Sequence, residues 1–219
     1  MRAYVLPFIL YLGFIQVPAA YPEQYGWLYP ATVALVATVT VGLLRGRRLL
    51  EPHWNVLPGV SVGLIGIALW IGLCRLNLEQ AVTAHLPSWL QAKRTAFNPF
   101  KSISQPTAQW AFLAARLVGL VILVPVVEEL FWRGFLLRWL TSPNWRQQRL
   151  NEFSVQSFVI VTLLFALAHP EWLAAAIYCS LLNGLLYWKG DLWNCIVAHS
   201  VSNLVLGVYI LSTGSWELW

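Results

Sequence analysis

The residues with the most chemistry to offer lie in one stretch of otherwise apolar sequence, Val126 to Phe135. This stretch carries two adjacent carboxylates, Glu128 and Glu129, and one guanidinium, Arg133. Ionised side chains in apolar surroundings cost several kcal/mol each unless they are paired or take part in chemistry. In a helix Glu129 and Arg133 are i,i+4 neighbours, which predicts an ion pair, whereas Glu128 is turned by about 100° and faces another side. The stretch by itself fits a structural ion pair and a catalytic carboxylate equally well.

Two further segments carry polar side chains that suit the same chemistry. His169 follows an apolar run and precedes Pro170, which predicts a helix break at membrane depth. His199 and Asn203 are four residues apart in the last apolar run, so they share one face of a helix. Each segment alone has a structural explanation: a histidine at a helix end, or a hydrogen bond between helices worth ~1 kcal/mol.

The depths of these groups indicate one shared site. With a rise of about 1.5 Å per residue, Glu128, His169 and the His199/Asn203 pair lie roughly 12 to 21 Å from the same membrane face. Three separate apolar segments would therefore bring these polar side chains to one level. A single water-filled catalytic pocket explains all of them at once.

The segment that carries the glutamates has two further features. Pro125 lacks a backbone N–H and leaves the carbonyl of Val121 without its helical donor, which predicts a kink just above the glutamates. Arg116 and Arg138 bracket the segment about 33 Å apart, close to the ~30 Å thickness of the hydrocarbon core. We therefore expect both arginines to extend toward opposite membrane interfaces.

The composition predicts the kind of element that holds these residues. Only 11% of the 219 residues are charged and 58% are hydrophobic, whereas a soluble domain carries roughly 25% charged residues. The chain is therefore predicted to be an integral membrane protein, and its 13 Trp and 8 Tyr suit interfacial aromatic belts. The net charge of +5 indicates topology and contact with membrane lipids, and no nucleic-acid surface.

The apolar runs predict about seven membrane segments in a single domain, residues 1–219. They are too long for barrel strands and do not alternate, so the fold class is all-α, a polytopic transmembrane helix bundle. Within the connection between the third and fourth segments, Leu78 to Leu90 is weakly amphipathic and is predicted to lie on the membrane surface. The predicted segments are Ala3–Val17, Pro30–Leu44, Val56–Cys74, the run around Glu128, Phe153–Ala168, Trp172–Trp188 and Leu192–Leu211.

Basic residues predict the orientation of the bundle. Two clusters fall on the same side of the predicted topology: Arg45, Arg47 and Arg48, and then Arg138, Arg146 and Arg149. Under the positive-inside rule this side is cytoplasmic, which places the N-terminus in the cytoplasm, and we expect the plasma membrane as the location. The connection on the opposite side argues against this orientation, because it contains Arg75, Lys93, Arg94 and Lys101. A segment lying in the interface there, or one span more or fewer, would remove the conflict.

The order and spacing of the three motifs resemble those of a known family. Glu128-Glu129-x-x-x-Arg133, then Phe165-x-x-x-His169, then His199-x-x-x-Asn203 is similar to the CAAX-protease and bacteriocin-processing family. These proteins are intramembrane endopeptidases of the type II CAAX prenyl protease kind. The resemblance covers a catalytic half at about 109–211, and the first hundred residues carry no matching motif. The short chain also resembles the related subgroup that accompanies exosortase systems, which makes a protein-sorting system a candidate partner.

The resemblance implies a catalytic site of Glu128, Glu129, Arg133, His169, His199 and Asn203. Peptide hydrolysis needs a base for water, an acid for the leaving amine and donors for the oxyanion. Glu128 is the candidate base, with His169 holding and activating the water, His199 and Asn203 stabilising the oxyanion, and Glu129 with Arg133 bracing the helix. The same atoms allow a second mechanism, in which Glu128, His169 and His199 bind a divalent metal such as Zn. Sequence does not separate the two mechanisms, and we lean slightly toward metal dependence.

Two other functions compete with the endopeptidase. A proton-coupled transporter or relay also uses intramembrane Glu and His, although the chain has no inverted repeat. The second competing function is that of a catalytically silent membrane scaffold of the same fold. A protease needs Glu128, His169 and His199 to converge on one cavity, whereas a relay would place them along a path across the bilayer. The expected substrate is a membrane-associated peptide or protein: a prenylated C-terminal motif, a leader peptide or a protein of a sorting system.

Overall fold

A computed structural model of the chain describes residues 1–83, 85 and 96–218. In this part of the chain the architecture is all-α, as predicted, and contains no strand. Part of the predicted surface segment Leu78–Leu90, together with Lys93 and Arg94, lies outside the described residues, and Leu78–Thr83 is a short helix. The main helices, in chain order, are α1 (Arg2–Ala20), α2 (Tyr25–Leu44), α3 (Leu57–Leu76), α4 (Pro106–Thr141), α5 (Val155–Leu167), α6 (Trp172–Lys189) and α7 (Leu192–Thr213).

The lengths of these helices agree with a membrane bundle. In the described part of the chain, five helices are long and apolar enough to cross a bilayer: α1, α2, α3, α4 and α7. The other two are shorter or less apolar. Helix α5 has 13 residues and therefore extends only about 20 Å, less than the ~30 Å hydrocarbon core. The seven predicted segments thus correspond to seven helices, of which α5 and α6 form a hairpin rather than two full spans.

The α5–α6 hairpin turns where the sequence predicted a break. Helix α5 ends at Leu167, and α6 begins at Trp172, so the turn contains His169 and Pro170. Pro170 cannot continue the helix, because it has no N–H and restricts the preceding residue. Backbone outside a helix is tolerated at membrane depth only where protein surrounds it or where it lines a cavity. The break therefore places the half-buried His169 on a turn whose neighbouring residue Leu167 is 80% exposed.

Helix α4 departs from regular geometry on both sides of the glutamates. Two π-helical segments, Gly119–Leu123 and Trp132–Leu136, flank the regular α-helical stretch Val124–Phe131. Each π segment inserts an extra residue into a turn and rotates the following side chains relative to an uninterrupted helix. Such insertions are frequent at functional sites. The π segment Gly119–Leu123 ends two residues before Pro125, where the sequence predicts a kink.

Helices α3 and α7 pack closely because glycines line the contact. A Cβ atom at Gly59 would lie 2.6 Å from the carbonyl oxygen of Asn194, and a Cβ at Gly63 would meet the carbonyl oxygen of Ala198. The Gly59 N–H also donates to Asn194 Oδ1 at 2.9 Å. Small residues four positions apart allow this approach of two helices in a membrane, where van der Waals contact drives association. The glycine stripe therefore fixes the position of the α7 turn that precedes His199.

We expect Gly63→Ala to destabilise the bundle by about 1–3 kcal/mol, the usual range for overpacking. The added methyl group would displace the backbone of α7 at Ala198. Gly72→Ala on the same helix is the matched control, because a Cβ there has no atom within 4 Å apart from its own helix and chain neighbours. Thermal unfolding of the purified proteins in detergent measures the difference. Equal midpoints for the two variants would show that the close approach of α3 and α7 does not contribute to stability.

The chain ends and loops are arranged as an odd number of membrane segments requires. Burial lowers the pKa of the Met1 amine, and the nearby charges of Arg146 and Arg47 lower it further. The N-terminus and the two predicted basic clusters therefore lie on one face of the bundle. At the opposite face, Arg75 at the end of α3 donates to the Tyr209 hydroxyl near the end of α7 at 3.0 Å.

Candidate active site

A cavity of about 180 Å³ lies inside the bundle and has residues of all seven main helices in its wall. Glu128 from α4, His169 from the α5–α6 turn, and His199 and Asn203 from α7 all line this cavity. The three motifs therefore converge on one cavity, as the sequence predicted. A polar cavity of this size has room for more than one water molecule. The side chains meet at one place and do not follow a path across the bilayer, which counts against the relay.

Glu129 and Arg133 lie behind the cavity wall and form the predicted i,i+4 ion pair. Both side chains are 0% exposed, and Arg133 Nη1 donates to Glu129 Oε1 at 3.2 Å. Arg133 also donates from Nε to Asn183 Oδ1 at 3.0 Å and from Nη2 to the Cys179 carbonyl oxygen at 3.2 Å. One guanidinium thus ties α4 to α6 by several hydrogen bonds, which its planar fork of donors permits.

Glu129 has a second partner that the sequence did not reveal. His199 Nδ1 lies 2.8 Å from Glu129 Oε1, so the carboxylate contacts both Arg133 and His199. An ionised carboxylate only accepts hydrogen bonds, so the hydrogen lies on Nδ1 and Nε2 is the ring nitrogen left for the cavity. Glu129 therefore orients the imidazole of His199 in addition to bracing the helix.

His169 is oriented by a neutral acceptor instead. Its Nδ1 lies 2.8 Å from the carbonyl oxygen of Phe165, in the last turn of α5. Since a carbonyl oxygen only accepts, Nδ1 carries the hydrogen of this contact. The ring stacks on Phe165 at 4.5 Å between centroids and meets the edge of Trp70 at 5.8 Å. The motif spacing Phe165-x-x-x-His169 thus has a physical basis in one hydrogen bond and one stacking contact.

Asn203 contacts the irregular part of α4. Its Nδ2 donates to the carbonyl oxygen of Leu120 at 2.8 Å. In the π segment the Val124 N–H bonds to Gly119, five residues back, so the donor expected for Leu120 would be residue 125. Pro125 has no N–H. The prediction assumed α-helical spacing and assigned the lost bond to Val121, whereas in the π register the carbonyl that Asn203 supports is that of Leu120. The predicted oxyanion role of Asn203 would use the other N–H of the same amide.

Of the two bracketing arginines, Arg116 turns into the bundle and does not extend outward as expected, while the expectation for Arg138 stays a prediction. Arg116 lines the cavity, its Nη1 donates to the Tyr25 hydroxyl at 3.2 Å, and its guanidinium carbon lies 4.5 Å from the Tyr29 ring centroid. Arg138 is 9% exposed and donates to the Gly134 carbonyl oxygen from Nε at 2.8 Å and from Nη2 at 2.6 Å. Aromatic faces and backbone carbonyls hold these cations, and Arg138 also donates from Nη1 to the Gln148 carbonyl oxygen at 3.3 Å, in the loop after α4.

Sequence reasoning missed several other residues of the cavity wall. They are mostly aromatic or hydroxyl side chains that a bilayer protein also places at interfaces and between helices, so their types carried no signal. Among the missed side chains are Tyr178, Ser202 and Trp70, which all line the cavity.

The described residues contain no group of three His, Cys, Asp or Glu side chains arranged to hold a metal ion. Glu128, His169 and His199 line one cavity, but in this structure they are not grouped closely enough to bind one metal ion together. The steps proposed below therefore use only the side chains of the chain. Metal dependence stays a prediction that elemental analysis decides.

Fold and site together define a class of protein: a polytopic membrane protein with an internal polar cavity lined by a glutamate, two histidines and an asparagine. Residues 109–205 match the family described as type II CAAX prenyl endopeptidase Rce1-like. The matched residues contain all of the predicted site residues, so this similarity supports the resemblance to CAAX-protease-type enzymes. No curated protein and no solved structure gives a significant match to the chain.

Proposed function

We propose that the protein is an intramembrane endopeptidase that hydrolyses a peptide bond of a membrane-associated substrate. The observation that carries this proposal is the convergence of Glu128, His169, His199 and Asn203 on one cavity. These residues come from three separate segments of the chain, and helix breaks and π segments bring them together. The family match supports the same activity in general terms.

In the proposed mechanism the two histidines have different roles, because their Nδ1 partners differ. The neutral Phe165 carbonyl at His169 suits a neutral ring, whose Nε2 accepts a hydrogen bond from the attacking water. The ionised Glu129 carboxylate at His199 suits a protonated ring, whose Nε2–H donates to the oxyanion. Glu128 lies on the cavity wall and takes the proton of the water as it attacks the peptide carbonyl.

The second half of the reaction uses the same groups. The tetrahedral intermediate carries its negative charge on the former carbonyl oxygen, where His199 and the remaining Asn203 N–H stabilise it. Glu128 then returns the proton to the leaving amine nitrogen as the C–N bond breaks. One carboxylate thus serves as base and then as acid. Water is consumed, and a carboxylic acid and an amine, together equivalent to a carboxylate and an ammonium, are the products.

The substrate we propose first is a peptide with a prenylated cysteine near its C-terminus, because the matched family is described as CAAX prenyl endopeptidases. A leader peptide and a sorting-system protein are the other candidates. We further propose that the protein lies in the plasma membrane with its N-terminus in the cytoplasm. The cluster of Met1, Arg47 and Arg146 on one face supports this orientation under the positive-inside rule, and it suits contact with anionic lipids.

The purified protein in lipid nanodiscs tests the function. The probe is an internally quenched peptide that ends in a farnesylated cysteine followed by two aliphatic residues and a C-terminal residue. We expect cleavage by the wild type, with the new ends located by mass spectrometry. The unprenylated peptide is the matched control for substrate class, and comparison of membrane and secreted proteomes with and without the protein covers the other candidates. No cleavage of the probe and no lost product in either proteome would end the endopeptidase proposal.

Metal dependence is measured on the same preparation. If Glu128, His169 and His199 act only through protons and hydrogen bonds, a chelator should leave the cleavage rate unchanged and the purified protein should carry no stoichiometric metal. If they bind a divalent ion, elemental analysis should find close to one ion per chain, chelation should abolish cleavage, and added Zn should restore it.

A further inference from the structure

Two hydroxyl groups beside His199 have no part in the mechanism above. Tyr178 from α6 and Ser202 from α7 both line the cavity, and both are almost fully buried, at 5% and 3% exposure. The Tyr178 hydroxyl and Ser202 Oγ are hydrogen-bonded to each other. Ser202 Oγ also donates to the carbonyl oxygen of His199 at 2.9 Å. The two hydroxyls therefore connect α6 to the turn of α7 that carries His199.

The direction of these hydrogen bonds follows from counting hydrogens. Each hydroxyl has one hydrogen, and carbonyl oxygens only accept. If Ser202 donates to the His199 carbonyl, then Tyr178 donates to Ser202, and its distance of 3.3 Å to the Ala198 carbonyl adds a weaker contact. Every bond in this chain is then satisfied, with Tyr178 at its start. The phenol is thereby hydrogen-bonded to α7 at Ser202, three residues after His199.

The ring of Tyr178 also contacts the imidazole directly. The ring centroids of Tyr178 and His199 are 5.9 Å apart, with an edge-to-face angle of 77°. Trp70 meets the ring of Tyr178 at 6.0 Å and the ring of His169 at 5.8 Å. Glu129 fixes Nδ1 of His199, and the ring of Tyr178 adds a second constraint on the orientation of the imidazole.

Gly66 on α3 provides the space for this phenol. A Cβ atom at position 66 would lie 2.5 and 2.6 Å from two carbon atoms of the Tyr178 ring. Any other residue at this position would therefore push the ring away from α3. The Tyr178 side chain occupies a slot that exists because position 66 has no side chain.

We infer that Tyr178 is a positioning residue that holds the imidazole of His199 in its working orientation, through its ring contact and its hydrogen bond to Ser202. This inference rests on the proposed role of His199 for its effect on catalysis. It has a consequence independent of catalysis, because the orientation of His199 can be observed directly.

The kinetic experiment compares Tyr178→Phe with the wild type on the farnesylated quenched peptide. We expect kcat to fall about three- to tenfold, as for the loss of one neutral hydrogen bond, with KM unchanged. In a His199→Ala background the same change should have no further effect, because a residue that acts through His199 is silent without it. Wild-type kcat in Tyr178→Phe, or an equal loss in both backgrounds, would overturn the inference.

A spectroscopic experiment does not depend on activity. Protein labelled with ¹⁵N-histidine gives imidazole signals, and the signal that disappears in His199→Ala belongs to His199. We expect Tyr178→Phe to shift the His199 signal and leave the His169 signal in place. An unchanged His199 signal would overturn the inference even if no peptide were ever cleaved, whereas a shifted signal with no cleavage by the wild type would count only against the proposed function.

The slot is tested with paired glycine variants. Gly66→Ala should lower kcat more than Tyr178→Phe does, because it displaces the whole ring. Gly184→Ala on α6 and Gly72→Ala on α3 are the controls, since a Cβ at either position has no atom within 4 Å apart from its own helix and chain neighbours. If Gly66→Ala equals the two controls in kcat and in the His199 signal, Tyr178 does not depend on the slot and the inference fails.

Discussion

Glu128→Gln is expected to lower the rate of peptide cleavage by about 10²- to 10⁴-fold, the range for loss of a general base, and to leave the protein folded. Glutamine keeps the size of glutamate and its capacity for hydrogen bonds, but it cannot take the proton of the attacking water. The side chain lies at the cavity wall with 9% exposure, so a neutral amide there carries no cost of burying a charge. Single-turnover cleavage of the farnesylated peptide measures the loss, and size-exclusion chromatography in detergent measures folding.

Two other glutamates control this experiment. Glu152→Gln makes the same chemical change in an exposed loop and should cleave at the wild-type rate. Glu129→Gln makes it one residue away, where the carboxylate contacts both Arg133 and His199, so this variant should lose stability as well as activity. A Glu128→Gln enzyme that cleaves at the wild-type rate would remove Glu128 from the mechanism, whatever the metal measurement shows.

The contrast between the two glutamates was predictable, because it depends on helix geometry alone. Residues 128 and 129 cannot both face one cavity from a helix, and residue 129 is the one placed to pair with Arg133. The convergence of the three motifs was predictable for a related reason. Depth in a membrane follows from counting residues along helices, since each residue adds about 1.5 Å.

Contacts between helices were less accessible to sequence reasoning. The bond from His199 to Glu129 joins residues 70 positions apart, and the bond from Asn203 to Leu120 depends on a π segment that apolar periodicity does not reveal. The glycines of α3 look ordinary in a membrane helix, where Gly is frequent. Their function became visible only when Asn194, Ala198 and Tyr178 were found in the space that a Cβ would fill.

The arginines also show that contacts between helices are hard to predict from the sequence. Long cationic side chains near helix ends usually extend to the interface, so this was the reasonable expectation for Arg116 and Arg138. Arg116 departs from it, and Arg133 shows why: an arginine can be satisfied inside a bundle when carbonyls, aromatic faces or a carboxylate surround it. These partners come from other parts of the fold, and no local pattern in the sequence identifies them.

Arg133→Ala is expected to destabilise the protein by ~3–5 kcal/mol, the usual effect of removing one partner of a buried ion pair. The loss leaves Glu129 at 0% exposure with His199 as its remaining hydrogen-bond partner, and it removes the donors to Asn183 and Cys179 that tie α4 to α6. Because folded proteins are stable by only about 5–15 kcal/mol, this is a large share of the total. The amount of folded protein in membranes and the thermal midpoint in detergent should both fall.

Further variants separate charge, geometry and catalysis at this pair. Arg75→Ala removes an exposed arginine and should keep the wild-type midpoint. Arg133→Lys keeps the charge but lacks the planar fork, so its midpoint should lie between those of the wild type and Arg133→Ala. Replacing both partners, Glu129→Leu with Arg133→Met, should recover stability because no buried charge is left unpaired. This double variant should stay inactive, since His199 has lost the carboxylate that orients it. A wild-type midpoint for Arg133→Ala would refute the structural role of the pair.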